Sequence, residues 1–237
     1  MRRVYETVRI IDLYTITYSQ QFYQGKSHLW GVFGDTIKSP GITSVSNLWY
    51  TAINNYVMKN ILVFCSANDL EEKYVTSARE LAQLIPKNKY NLVWGGSNTG
   101  IMKLMASTVQ EYGGKIIGVS MELLKHKARS GADEMIIAKD LSERQRIMLE
   151  RSDAIISLPG GIGTLNEITA VLEMKKHKSH DKPVVVLNSD NFYEGLKVQL
   201  QKMKDDGFLP RQLDKLIYFA DKPQEVFDYI NPKLNAW

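Results

Sequence analysis

The sequence predicts an α/β fold, a mostly parallel, doubly wound sheet in a single domain. Three observations point there. From Met58 onward, short apolar runs alternate with longer segments whose apolar residues recur at helical spacing. Two of the short runs end in glycine-rich turns that open helices, as where a parallel strand passes into a crossover helix. The chain has 237 residues, 44% of them hydrophobic, which is enough for one core of that kind.

Taken in order, Met58 stands directly before the first buried strand, Ile61-Leu62-Val63-Phe64. Asn68 or Asp69 reads as the cap of a helix ending near Leu84, in which Tyr74, Ala78, Leu81 and Leu84 or Ile85 share a face. A strand over 92–94 leads through Gly95-Gly96-Ser97-Asn98-Thr99-Gly100 into a helix over 101–112. Strand 115–119, a connecting segment and strand 134–138 follow. Ser142 then reads as an N-cap, with Gln145 completing a capping box. Strand 153–158 ends in a second glycine turn before a helix over 168–176. Strand 183–187, a helix over 192–204, a strand over 216–219 and a helix near 224–229 complete the order. No internal repeat or low-complexity segment interrupts it.

Residues 1–57 depart from this pattern. They hold half of the twelve tyrosines (Tyr5, Tyr14, Tyr18, Tyr23, Tyr50, Tyr56) and few charges, and only 8–18 suggests a short strand or two. The expectation is an extension ahead of a natural start at Met58, so that a chain begun at Met58 stays soluble and folded. A poorly ordered native extension is the alternative. A transit peptide is disfavoured because Glu6 and Asp12 interrupt the basic face.

The second glycine turn, Leu158-Pro159-Gly160-Gly161-Ile162-Gly163-Thr164-Leu165-Asn166-Glu167, is the most informative stretch. A buried strand, a glycine turn and a helix start place free backbone N–H groups around a concavity, and the helix dipole favours an anion there. Thr164 adds a hydroxyl, and Glu167 stands about a turn further on. A Walker A loop needs Gly-Lys-Ser/Thr at its end, where this one has Gly163-Thr164-Leu165. A dinucleotide fingerprint needs a third glycine where Asn166 stands, and an acidic residue at the end of the next strand, which is Asn188. A nucleoside monophosphate or a sugar phosphate remains. The bland alternative is that Thr164-x-x-Glu167 is a capping box, which leaves three glycines and a proline unexplained.

Arg144 sits in the predicted first turn of its helix, where the dipole disfavours a cation. A ligand phosphate or a carboxylate nearby would explain it; a solvent-facing, screened side chain is the other reading. Arg146 reads as solvent-facing and Glu143 as a favourable helix start. Met102 and Met105 read as packing residues. Asn188, Asp190 and Tyr193 either line a cleft or turn the chain. His177-x-x-His180 reads as the polar end of a helix, so no metal is expected.

Composition excludes other classes. One cysteine, Cys65, argues against a disulfide framework and suits a reducing cytoplasm. No apolar run approaches a membrane span. A net charge of +4 without a basic stripe suits attraction of small anions and gives no sign of nucleic-acid binding.

The motifs occur in a telling order: Gly95-Gly96 with Gly100-Ile101-Met102, Glu143-Arg144 with Met148, Pro159-Gly160-Gly161-x-Gly163-Thr164-x-x-Glu167, and Lys182-Pro183-Val184 with Leu187-Asn188. Over roughly residues 59–230 the chain resembles the Lonely Guy family of cytokinin riboside 5′-monophosphate phosphoribohydrolases, long misnamed lysine decarboxylases. The resemblance implies a Rossmann-like homodimer that hydrolyses a nucleoside 5′-monophosphate to a free adenine-type base and ribose 5-phosphate, without a cofactor. It implies Glu167 and Arg144 as the catalytic pair. Gly160, Gly161, Gly163 and Thr164 would hold the phosphate. Gly95, Gly96 and Ser97, in the glycine turn facing them, are further candidates for binding the phosphate or the nucleotide. The chain departs from the family pattern at Cys65-Ser66-Ala67-Asn68, where Gly-Ser is usual, at Ser97 for glycine, at Gln145 for lysine and at Asn166 for glutamate. The alternative within the same fold is a nucleotide or molybdenum-cofactor carrier without turnover.

Overall fold

Seven strands, all parallel, lie in the order β4-β3-β2-β1-β5-β6-β7 in the computed structural model, which describes residues 58–209 and 212–235. They are β1 (Asn60–Phe64), β2 (Asn91–Trp94), β3 (Ile116–Met121), β4 (Glu134–Ala138), β5 (Ala154–Ser157), β6 (Val184–Leu187) and β7 (Tyr218–Ala220). The helices are α1 (Glu72–Lys87), α2 (Gly100–Glu111), α3 (Leu141–Glu150), α4 (Ile162–Lys176), α5 (Glu194–Asp205), α6 (Leu213–Leu216) and α7 (Pro223–Leu234). Residues 1–57, and with them the readings of an extension and of strands within 8–18, lie outside the described residues.

The chain moves outward from β1 through β2 and β3 to β4, then restarts beside β1 at β5 and moves the other way. That reversal opens a crevice beyond the carboxyl ends of β1 and β5, where open α/β sheets bind ligands. The strands carry uninterrupted apolar runs because both faces are covered. Along β1, Ile61 and Val63 join a core with α1, α2 and α7, through Leu81, Ile85, Met105 and Phe227. Leu62 and Phe64 point the other way, into a core with α3, α4 and α5 that includes Met148, Ile168 and Leu200.

Several boundaries depart from the sequence reading. The first helix starts at Glu72, not at Asn68 or Asp69. The loop ahead of it lies over the start of α2 instead, and the Ser66 and Asn68 carbonyls accept from the N–H groups of Met102 and Ile101. Gly100 permits this approach: its φ is +54°, and a Cβ there would stand 2.3 Å from the Asn68 carbonyl oxygen. Asp140, not Ser142, caps α3. Its Oδ1 accepts from the Glu143 N–H at 2.8 Å, while the Glu143 carboxylate accepts from the Lys139 N–H. Residues 213–216 are helical, and the last strand begins at Tyr218. The segment read only as a connection contains a 3-10 helix, Glu122–Lys127.

Candidate functional site

A cleft of about 400 Å³ occupies the crevice. Four strand ends build it: the loop after β1 (Cys65 to Asn68), the turn after β2 (Gly95, Ser97), Ser120 on β3, and the turn after β5. Helix α4 starts within that last turn, at Ile162, so the sequence reading placed its start six residues late. Its N-cap is Gly161, with no side-chain cap bond. The Thr164–Glu167 capping box therefore does not form. Thr164 and Glu167 fall on the first two turns of α4, both are buried, and both line the cleft. The backbone N–H groups of Ile162, Gly163 and Thr164 have no carbonyl a turn back to bond.

Two kinds of glycine are separated here. Gly160 lies behind the cleft, and a Cβ on it would strike the Thr164 hydroxyl at 2.3 Å, so the fold itself requires glycine. Gly161 and Gly163 line the cleft, and a Cβ on either would meet nothing within 4 Å. Gly161 has φ −84°, a conformation open to any residue. Packing therefore gives no reason for these two glycines.

Arg144 and Glu167 meet across the floor. Arg144 Nη1 donates to Glu167 Oε1 at 2.9 Å, and Nε donates to the Val119 carbonyl at 2.9 Å. The residues are 7% and 6% exposed, so the anion that Arg144 calls for is a carboxylate from the next helix. Gly95 makes room for the guanidinium: a Cβ there would stand 2.5 Å from Arg144 Nη2. Burial pushes the Glu167 carboxyl above the usual carboxylate range, and Arg144 pulls it partly back.

Of the residues singled out in the sequence, the cleft gathers Gly95, Ser97, Arg144, Gly161, Gly163, Thr164 and Glu167, and leaves Gly96 and Gly160 behind it. Gly96 has φ +76° and turns the chain, its carbonyl accepting from the Arg129 N–H. Arg146 is solvent-facing and pairs with Glu150. Met105 is core, but Met102 lines the cleft, against its reading as a packing residue only. Asn188, Asp190 and Tyr193 stand outside the lining. The Asn188 side chain accepts from the Tyr193 N–H, Asp190 pairs with Lys73, and the Tyr193 hydroxyl donates at 2.8 Å to the Leu158 carbonyl, just ahead of the glycine turn. His177 contacts Glu173 and His180 the Val171 carbonyl, so the two rings serve separate partners.

Two departures from the family pattern meet in space. Gln145 donates to Asn166 Oδ1 at 2.9 Å, a neutral bond between α3 and α4 outside the cleft lining. The departures at 65–68 and at Ser97 do line the cleft. Lining residues beyond those readings are Ser120, Leu124 and Lys127. The strand-end position of Ser120 marked it in principle; the short segment bearing Leu124 and Lys127 carries no periodic signal.

Cys65 also lines the cleft, 2% exposed, and burial together with the Glu167 charge pushes its thiol well up. A protonated, covered thiol is inert. A thiol reagent at pH 8 should label no cysteine in the folded protein and one per chain after unfolding. Stoichiometric labelling of the native state would contradict this placement.

The family model described as possible lysine decarboxylase matches residues 102–230. The cytokinin riboside 5′-monophosphate phosphoribohydrolase LOG5 of Arabidopsis thaliana is 39% identical over 171 residues, covering 71% of this chain and 75% of that one. The chain belongs to the Lonely Guy family. A bacterial family member, the cytokinin riboside 5′-monophosphate phosphoribohydrolase of Mycobacterium tuberculosis, is 33% identical over 160 residues, covering 66% of this chain and 86% of the relative. Among solved structures, the molybdenum cofactor binding protein of Rippkaea orientalis aligns with a TM-score of 0.60 at 23% identity, over 76% of this chain and 99% of that one. The molybdenum cofactor carrier protein of Chlamydomonas reinhardtii gives 0.58 at 23% identity, over 76% and 100%. At such identities the likeness concerns the fold, and the Lonely Guy fold is the Rossmann-like one read from the sequence.

Proposed function

We propose that this protein hydrolyses the N-glycosidic bond of a nucleoside 5′-monophosphate, giving a free adenine-type base and ribose 5-phosphate. The observation that carries the reading is the buried Arg144–Glu167 pair beside a helix start whose two lining glycines face open space. The phosphate takes the N–H groups of Gly163 and Thr164 and the positive end of α4, with Gly161 and Gly163 clearing its approach. Gly95 and Ser97 flank the remainder of the nucleotide. The Glu167 carboxylate stabilises the positive charge that develops on the ribose as the bond to the base breaks, and orients the attacking water. The water's hydroxyl adds to the anomeric carbon, and its proton leaves with the base. Arg144 keeps Glu167 ionised and aimed.

The names of the family members, cytokinin riboside 5′-monophosphate phosphoribohydrolases, support this substrate class. A homodimer is part of the reading, and Leu141 and Leu165, 47% and 38% exposed on the first turns of α3 and α4, are apolar side chains open to a second copy. A single buried cysteine suits a reducing cytoplasm, and among the described residues no helix is long and apolar enough to cross a membrane. The carrier alternative rests on likeness of fold alone.

Incubation with AMP, with its N6-isopentenyl analogue and with adenosine, followed by chromatography, tests the reading. Base and ribose 5-phosphate should appear in equal amounts from a monophosphate, with adenosine cleaved far more slowly. Absence of base from both monophosphates would overturn it.

Gly163→Ala separates occupant from fold. Alanine in a helix stabilises by up to about 1 kcal/mol relative to glycine, and the added methyl has room. The melting temperature should hold or rise while AMP affinity falls about tenfold or more. Unchanged affinity would remove the phosphate from this turn.

A further inference from the structure

We infer that Lys127 supplies the net positive charge of the cleft and thereby selects phosphorylated over neutral ligands; the inference rests on the reading that the cleft receives a 5′-phosphate. The charged side chains lining the cleft are Arg144, Glu167 and Lys127. Arg144 and Glu167 cancel, and the arginine is already committed to the Glu167 carboxylate and the Val119 carbonyl. A dianionic phosphate entering beside Glu167 therefore meets a neutral pair, and the surplus of one positive charge comes from Lys127.

The lysine is anchored at its root and free at its tip. It ends the 3-10 helix Glu122–Lys127 that follows β3. Its carbonyl accepts from the Asn98 N–H at 2.9 Å, and Ser97 and Ala128 form an antiparallel bridge that ties this segment to the turn after β2. Lys125, two residues earlier, pairs with Glu122, whereas Lys127 has no ion-pair partner among the described residues. The Ser97–Ala128 bridge sets the base of Lys127 at the turn after β2, and the order β2-β1-β5 puts two interstrand steps, roughly 10 Å, between it and the glycine turn after β5. At that separation Lys127 acts through its field across a low-dielectric cleft, and charge, not hydrogen-bond geometry, is what counts.

A charge ladder tests this on the full chain. AMP and adenosine affinities are titrated at low ionic strength for the wild type, K127R, K127M and K127E. The expected result is an unchanged AMP affinity for K127R, a loss of about fivefold for K127M and a further loss of about fivefold for K127E. Adenosine affinity stays within about twofold throughout, and the AMP series flattens in 0.5 M salt. An AMP affinity insensitive to the charge at position 127, or an equal loss for adenosine, overturns the inference. Because binding is read, AMP bound without cleavage would defeat the hydrolase reading and leave this one standing. A wild type that binds AMP no better than adenosine would defeat this inference whatever the turnover.

Discussion

Glu167→Gln is expected to abolish base release, by a factor of about 10² to 10⁴ in kcat, while leaving nucleotide binding and the fold intact. The change keeps the side chain's size and an oxygen for Arg144 Nη1, and removes only the charge and the ability to take a proton. Burial holds the Glu167 carboxyl pKa above its unfolded value, so its contribution is fully present below the unfolded pKa and is lost as pH rises through the folded one. Glutamine leaves the Arg144 guanidinium, itself buried, without its counter-charge, so the variant should melt below the wild-type temperature at neutral pH, while the pH dependence set by the raised Glu167 pKa disappears. With that pKa raised, wild-type activity should rise with pH along a limb centred above the ordinary glutamate value. A limb centred on or below that value would contradict the environment described for Glu167.

Arg144→Met carries the largest expected effect on stability. It leaves Glu167 as a buried charge without its partner, a situation that costs about 3–5 kcal/mol. Arg144 is what pulls the Glu167 carboxyl down, so its removal lets the pKa rise further. The penalty is thus largest at high pH and shrinks on acidification as the carboxyl takes up a proton, and the acid limb of any residual activity moves to higher pH. Denaturant titrations at pH 5 and pH 8 check the sign. Adding Glu167→Gln should recover much of the loss, since the unpaired charge is gone. A pH-independent loss, unaffected by the second change, would mean that Arg144 contributes packing alone.

The sequence was legible where a local rule and the tertiary fold agree. Residues 134–138 form a strand with those very bounds, and the apolar runs at β1, β5 and β6 report the burial of both sheet faces. Caps were harder to read. Ser142 looks as good as Asp140 on paper, and only the extended backbone of Asp140, with Glu143 reaching back to Lys139, decides between them. Asn68 could cap a helix, yet its carbonyl is taken by the start of α2, a partner more than thirty residues away. The same limit applies to the site. An arginine set against a helix dipole calls for an anion, but its identity as Glu167 depends on how α3 and α4 pack. Lys127 carried no signal, because a six-residue 3-10 turn has no apolar stripe to place it.

The central claim is that Glu167 and Arg144 act on a nucleotide held at the start of α4. The most direct test measures AMP binding and base release together, at saturating AMP, for the wild type beside Glu167→Gln. AMP should bind to both, no more weakly to Glu167→Gln, whose cleft has lost a negative charge, with release from the wild type alone. Release by both proteins, or binding by both with release by neither, would contradict the claim.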